Sequence, residues 1–404
     1  MPHPRPRLAS RHRRSLALGV AALALVALAA CNPAPDKKAQ NIVIVGGDTT
    51  QDLTGVIASN YNSDPKNTDP DTAYNVLSIQ STPLTVPADS QADCAATTFH
   101  TPAGVGETLA PNAGNAGVDA LKASVANGDG CVSIARTGGS PRAIGSSPGT
   151  DNATFEYYGF ALDAVGWASE STLAPADITL AQLRGIYNCT YTDWSQVGGT
   201  AGPIKRYWPT LSSGTRSFFQ SSVLGFDPTT FSSASCPSIT VIPVNSGTPI
   251  VTNADQQKAI VPFSVGNWVA QANGFTTDIR GGLTIHSLNG AAPLFLNGST
   301  WELNSPGASG NPGAPVAESN VLLNTPTPSY PGIRYVFHVV DNTEKLYSQA
   351  VLIVGFGNAA NGWKSALCSG TDAATINQYG FAPLDTSADG THNAAGSTCR
   401  LYTP

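Results

Sequence analysis

Ile42-Val43-Ile44-Val45 is an unbroken β-branched run, which predicts a buried strand. The polar turn Gly46-Gly47-Asp48-Thr49-Thr50 follows it, and Leu53, Val56 and Ile57 then recur at helical spacing. Tyr74 to Gln80 reads as a second strand. Asn112 to Gly117 is another polar turn, leading into helically spaced Val118, Leu121 and Val125. Cys131 to Ala135 predicts a strand that empties into Arg136-Thr137-Gly138-Gly139, and Phe155 to Trp167 a long aromatic one. Ile178 to Tyr187 reads as a helix, and Thr190 to Gly199 as a turn around Trp194. Lys205 to Trp208 is a strand running into Ser212-Ser213-Gly214-Thr215-Arg216 and a further helical pattern. Gln256 to Ala270 reads as a helix. Gly281 to Pro331 is rich in Gly, Pro, Ser and Asn, which predicts irregular structure or a long hairpin insertion. Arg334 to Val340 is a returning strand, with helices expected near Thr343 to Val354 and Thr371 to Tyr379.

Strands that alternate with helices imply open α/β sheets. Ligands of such sheets sit at the strand ends, where helix N-termini converge. The strand, polar turn and helix recur at Gly47–Thr50 and Ser212–Thr215, and the turn and helix at Asn112–Gly117. The first N–H groups of a helix have no intrahelical partner and carry the positive end of its dipole. A Ser-Gly-Thr turn adds two hydroxyls and a backbone that a ligand can approach closely. Three such turns aimed at one cleft would form a fixed cage of donors for an anion.

Charge makes that cage more informative. Arg5, Arg7, Arg11, Arg13 and Arg14 precede an apolar run, Leu16 to Ala30, that is too short and wrongly flanked for a membrane span. The run ends Leu28-Ala29-Ala30-Cys31, which resembles a bacterial lipobox. That implies a signal peptide over residues 1–30, lipidation at Cys31, a linker over residues 31–40 and an extracytoplasmic protein tethered to the cell membrane. Arg13-Arg14 also fits twin-arginine export. Without the leader, 16 basic residues face 27 acidic ones, a net charge of −11. This excludes a nucleic-acid partner, which requires basic surface, and leaves any anion site dependent on local, directed donors. The six further cysteines read as disulfides of an exported chain. Their order favours Cys94–Cys131, Cys189–Cys236 and Cys368–Cys399. His100, His286, His338 and His392 are isolated, and no cysteine spacing suits zinc, so neither a metal centre nor a cofactor is expected.

Leu180-Ala181-Gln182-Leu183-Arg184-Gly185-Ile186-Tyr187, Thr192-Asp193-Trp194-Ser195-Gln196-Val197-Gly198-Gly199 and Ser213-Gly214-Thr215 are similar, in this order, to segments of the phosphate-binding proteins of bacterial phosphate ABC importers. The resemblance covers about Asn41 to Ala270, and Gln378-Tyr379-Gly380-Phe381-Ala382-Pro383-Leu384 fits the family's closing segment. It implies an α/β, two-lobed periplasmic-binding-protein fold with a hinged cleft. One lobe would take residues 41–160 and 275–404, the other 161–274. It also implies inorganic phosphate or a related oxyanion as ligand and an ABC permease as partner. Matched onto this chain, the ligand-binding residues are Thr49 and Thr50, Gly114 or Asn115, Arg136 and Thr137, and Ser213, Gly214, Thr215 and Arg216.

Two departures stand out. Pro209 occupies the position where the family has a cleft arginine, and the nearest upstream arginine is Arg206. Arg136-Thr137 stands where the family offers a carboxylate that accepts the phosphate's proton. Arg136, Arg142 and Arg216 are the candidates for the missing positive charge. Losing the carboxylate affects selectivity against sulfate more than affinity.

Capture of a solute requires no nucleophile or base, so no enzyme activity is expected. Gly145-Ser146-Ser147-Pro148-Gly149 matches a hydrolase elbow by letter only, because Pro148 and Gly149 stand where its helix should begin. The alternative is a lipoprotein of the same fold with a different ligand, or with a sensory or adhesive role.

Overall fold

A long antiparallel pair of strands joins two parallel groups in the computed structural model. The structure describes residues 41–63, 75–78, 111, 113–128, 130–211, 213–306, 314–318, 321, 330–356, 365–386 and 396–404. The leader, Cys31, the linker and Cys94 lie outside the described residues. From Ala39 onward the chain forms one compact unit.

β1 (Asn41–Gly46) leads through a 3-10 turn, Asp48–Thr50, into α1 (Gln51–Ser63), and β2 is Asn75–Ser78. α2 (Gly114–Asn127) precedes β3 (Ile134–Thr137) and β4 (Phe155–Ser169). After β5 (Asp177–Ile178) come α3 (Leu180–Tyr187), β6 (Lys205–Pro209) and α4 (Gly214–Phe218), which continues as a π-helical segment, Phe219–Leu224. β7 (Thr240–Ile242), α5 (Thr248–Val251), β8 (Ala259–Ser264) and α6 (Val265–Ala272) follow. Next are the two-residue strands β9 (Thr284–Ile285) and β10 (Ser287–Leu288), then a hairpin, β11 (Leu294–Asn297) with β12 (Thr300–Leu303). β13 (Ile333–Asp341), α7 (Tyr347–Val354), α8 (Ala373–Gln378), β14 (Ala382–Pro383) and β15 (Arg400–Tyr402) close the chain.

The main sheet runs β2-β1-β3-β13-β4-β8-β6-β7. β1 pairs in parallel with β2 and β3, and β6 in parallel with β7 and β8. Between the two groups, β13 lies antiparallel to β4 from Ile333↔Ala164 to Asp341↔Phe155. Parallel strands are covered on both faces. Accordingly all six residues of β1 are buried, Val43 and Val45 in one core with Val118 and Leu121 of α2. Ile42 and Ile44 point the other way, into a core with Leu53 and Ile57 of α1.

One expectation needs correction. Gln256 to Ala270 is not a single helix: Ala259–Ser264 is a strand, and only Val265–Ala272 is helical. All six strand positions are buried between β4 and β6, where a continuous apolar run belongs. Pro262 bars a helix there. Ser264 then caps α6, its Oγ accepting from the Asn267 N–H at 3.1 Å. β3 also starts later than expected, at Ile134. The described part of Gly281–Pro331 holds β9, β10 and the β11–β12 hairpin. Gly145–Gly149 is a loop bound by Lys122, whose Nζ donates to the carbonyls of Gly145 (2.6 Å) and Thr150 (3.0 Å). It lacks the strand and helix of an elbow.

Cys189–Cys236 and Cys368–Cys399 are bonded, as the cysteine order suggests. Cys131 is disulfide-bonded too, to a partner outside the described residues. Cys368–Cys399 spans 31 residues and is fully buried. Replacing both with Ser is expected to lower unfolding stability by about 2–4 kcal/mol, read by urea titration. An unchanged midpoint would show that hydrogen bonds alone hold this end of the chain.

Candidate functional site

The expected turns meet. Gly46 has φ +117°, and a Cβ there would strike the Arg136 carbonyl, so the exit from β1 requires glycine. The Gly47 N–H donates to the Arg136 carbonyl at 3.0 Å. Arg136 answers with Nε on the Gly47 carbonyl (2.8 Å) and a terminal nitrogen on Ser78 Oγ (3.0 Å). These bonds fix the first turn to the end of β3. The N-terminus of α2 packs on the same place: a Cβ on Gly114 would strike the Thr137 side chain. Thr137 Oγ1 in turn accepts from the Gly139 N–H at 3.0 Å.

The Ser213 turn closes against this assembly. Ser213 caps α4, its Oγ accepting from the Arg216 N–H at 3.3 Å. A Cβ on Gly214 would sit 3.4 Å from the nitrogens of Gly138 and Gly139. Asn115 Nδ2 donates to Ser217 Oγ at 3.1 Å. Among the described residues, no partner takes the N–H of Gly214 or Thr215.

The cation at this junction is Arg334 of β13. One terminal nitrogen donates to Thr215 Oγ1 at 3.0 Å and to Asp163 Oδ2 at 2.8 Å. Nε reaches the same Asp163 oxygen at 3.1 Å, and the other terminal nitrogen the Gly138 carbonyl at 3.3 Å. Asp163, on β4, is fully buried, and its second oxygen accepts from Ser264 Oγ (2.9 Å) and the Gly266 N–H (3.1 Å). The Ser264 N–H donates to Asn245 Oδ1 at 3.0 Å, and Asn245 Nδ2 to Thr49 Oγ1 at 3.2 Å. A continuous polar network thus runs from Thr215 through Arg334, Asp163, Ser264 and Asn245 to Thr49. Thr50 is buried beside Thr49.

The arginines favoured by the sequence are committed elsewhere. Arg142 pairs with Asp119 (2.9 Å) and Asp151 (2.7 Å). Arg216 donates to the Pro209 carbonyl at 3.1 Å, with its guanidinium 5.8 Å from the Trp208 ring. Arg206 donates to the carbonyls of Tyr187, Phe231 and Pro237. Arg136 is fully buried, and burial lowers its pKa to about 10 against the charges of Asp48 and Asp52. The sequence did carry a signal for the pair it missed: Asp163 and Arg334 are charges of opposite sign set inside two largely apolar stretches.

Asp48 is the other missed residue. Burial raises its pKa to about 7, opposed by the charges of Arg136 and Arg334 and by a hydrogen bond from the Thr49 N–H. It lines a cleft of about 650 Å³, together with Gln51, Asp52, Asn245, Gln271 and Tyr379. The cleft meets the polar network at Asn245 and the first turn at Asp48, and it does not touch Ser213–Arg216. Among the described residues, no group of His, Cys, Asp and Glu could hold a metal ion.

A family model described as a PBP superfamily domain matches residues 87–359. No curated protein sequence matches the chain. Among solved structures, an ABC-type phosphate transport receptor from Vibrio cholerae is similar at 19% identity over 84% of this chain and 99% of that one, with a TM-score of 0.47. A putative phosphate ABC transporter substrate-binding protein with bound phosphate, from Clostridium perfringens, is 16% identical over 86% and 100%, with a TM-score of 0.46. A phosphate binding protein from Stenotrophomonas maltophilia is 14% identical over 86% and 91%, with a TM-score of 0.44.

Proposed function

We propose, for a chain that belongs to the PBP superfamily, that it is an extracytoplasmic solute-binding protein that captures an oxyanion, inorganic phosphate first, and hands it to an ABC permease. The observation that carries this reading is Arg334, a buried guanidinium bonded to Thr215 Oγ1 beside the N–H groups of Gly214 and Thr215, which no described residue takes. In an acidic chain, directed donors of this kind are what can hold an anion. Arg334 stands in for the arginine that Pro209 replaces, reaching the Ser-Gly-Thr turn from β13 instead of from β6. The ligand would be bound by Thr49, Thr50, Gly114, Asn115, Thr137 and the Ser213–Arg216 turn, with Arg136 bracing the first turn from below.

In this reading residues 41–160 and 275–404 form one lobe and 161–274 the other, and they close about β4 and the returning strand. Cys31 carries the lipid that tethers the protein outside the membrane. Among the described residues no helix is long and apolar enough to cross a membrane.

Titration calorimetry with phosphate and with sulfate tests the reading. Five or six charge-assisted bonds of roughly 1.5–3 kcal/mol each reach the −8.2 kcal/mol or so of micromolar affinity. Micromolar binding of at least one oxyanion is therefore expected, and nothing tighter than millimolar would sink the proposal. Thr215→Ala should weaken binding about tenfold, the loss of one such bond. An unchanged affinity would reduce the Ser213–Thr215 turn to a helix cap.

A further inference from the structure

Three hydroxyls at the junction are fixed by what they accept. Ser213 Oγ accepts from the Arg216 N–H, Thr137 Oγ1 from the Gly139 N–H and Thr215 Oγ1 from Arg334. Backbone N–H groups and guanidinium nitrogens can only donate. Each hydroxyl therefore keeps its own proton to give, and among the described residues nothing accepts it. All three residues are 3% exposed or less, where a donor left unmet is costly. Thr49 is held in the same way. The Ser264 N–H donates to Asn245 Oδ1, which turns that amide so that Nδ2 donates to Thr49 Oγ1.

The acceptors at the same place are engaged. Asp163 takes two donors on each oxygen. The Gly138 carbonyl takes Arg334, and the Ser213 carbonyl takes the Ser217 N–H at 3.0 Å. Asn115, whose Nδ2 lies on Ser217 Oγ, brings only an uncharged oxygen: a Cβ on Gly139 would meet its Oδ1 at 3.2 Å and Thr137 Oγ1 at 3.4 Å. Asp48 lines the neighbouring cleft, which does not touch the Ser213 turn, and its charge acts on every dianion alike. The junction thus presents donors and a guanidinium, with no free carboxylate among them.

A carboxylate facing a bound anion favours the one that brings a proton and repels the one that has none. A shell of donors makes no such distinction. We infer that the site does not read the proton of its ligand, and that it takes sulfate as well as hydrogen phosphate, as a receptor for doubly charged tetrahedral oxyanions as a class. The inference rests on the anion-binding reading above and widens its ligand from phosphate to that class.

Calorimetry of the full chain with phosphate and with sulfate at about pH 8, where both are mainly dianions, tests it. The two dissociation constants are expected to lie within about fivefold of each other. Thr137→Val and Thr215→Val each remove a hydroxyl and nearly keep the shape, and each should weaken both anions about tenfold, by the same factor. A loss confined to phosphate would show that a hydroxyl accepts its proton, and would overturn the inference. Asn115→Asp sets a carboxylate beside the same turn and should make the site prefer phosphate at least tenfold. No such preference would mean that a carboxylate here reads no proton, which removes the argument. A gap wider than about fivefold in the parent, in either direction, would overturn the inference and leave the anion-binding reading standing. Binding of neither anion would remove both.

Discussion

Arg334→Leu is expected to abolish oxyanion binding and to destabilise the fold by about 3–5 kcal/mol. Two strands bring Arg334 and Asp163 together at 2.8 Å, with side chains 3% and 0% exposed. Leucine would fill much of the space and leave Asp163 buried without its ion-pair partner. Ser264 Oγ and the Gly266 N–H would be its remaining donors. Most of the loss comes from that stranded carboxylate rather than from the pair itself. The double variant Arg334→Leu/Asp163→Asn should therefore recover most of the stability and none of the binding. Arg334→Lys keeps the charge but loses the fork that reaches Thr215, Gly138 and Asp163 at once, so it should fold well and bind at least tenfold more weakly. Urea denaturation and calorimetry separate the two effects. A double variant that binds phosphate normally would take Arg334 out of the site. A single variant as stable as the parent would show that Asp163 finds water.

The polar turns and the strand between Ile42 and Val45 were legible because their signals are local: a β-branched run, a break into Gly and Thr, then helical spacing. Ser213-Gly214-Thr215 was legible for the same reason. β8 was not, because an apolar run of six residues has no period that separates a buried strand from a buried helix, and only Pro262 argued for the strand. The cation was missed for a different reason. Its expected position is a fixed distance upstream of the Ser-Gly-Thr turn in the chain, but what the site requires is a guanidinium at a point in space. β13 passes that point 119 residues later in sequence. The pairing of β13 with β4 is a long-range contact that spacing along the chain cannot report. Asp163 and Arg334 sit directly opposite one another in that ladder, so two opposite charges in two separate stretches become one ion pair only once the register is known. Asp48 is not legible in the sequence, where its neighbour Thr49 carries the resemblance, because the property that singles Asp48 out comes from its burial.

Asp48→Asn is expected to change both stability and anion affinity, and in opposite pH ranges from an ordinary surface aspartate. The folded pKa of Asp48 is raised from 3.8 to about 7 by burial. Between these values the native state holds a proton that the unfolded state has released, so stability falls as pH rises through the window. Below about pH 4 the parent and Asp48→Asn should be equally stable. Above about pH 7 the variant should be the more stable, by an amount on the order of a few kcal/mol, since each tenfold difference in proton affinity between the folded and unfolded states is worth about 1.4 kcal/mol. Affinity follows the same charge. Deprotonation of Asp48 places a negative charge next to Thr49, and a unit charge within about 8 Å at an effective dielectric of about 20 is worth about 2 kcal/mol. Sulfate is the right probe, because its own charge is constant over this range. Its affinity for the parent should fall roughly sevenfold between about pH 6 and pH 8, and its affinity for Asp48→Asn should stay flat. Parallel profiles for the two proteins would place the titrating group elsewhere. A flat profile for both would mean that Arg136 and Arg334 hold Asp48 ionised throughout, so that the first turn carries a permanent negative charge.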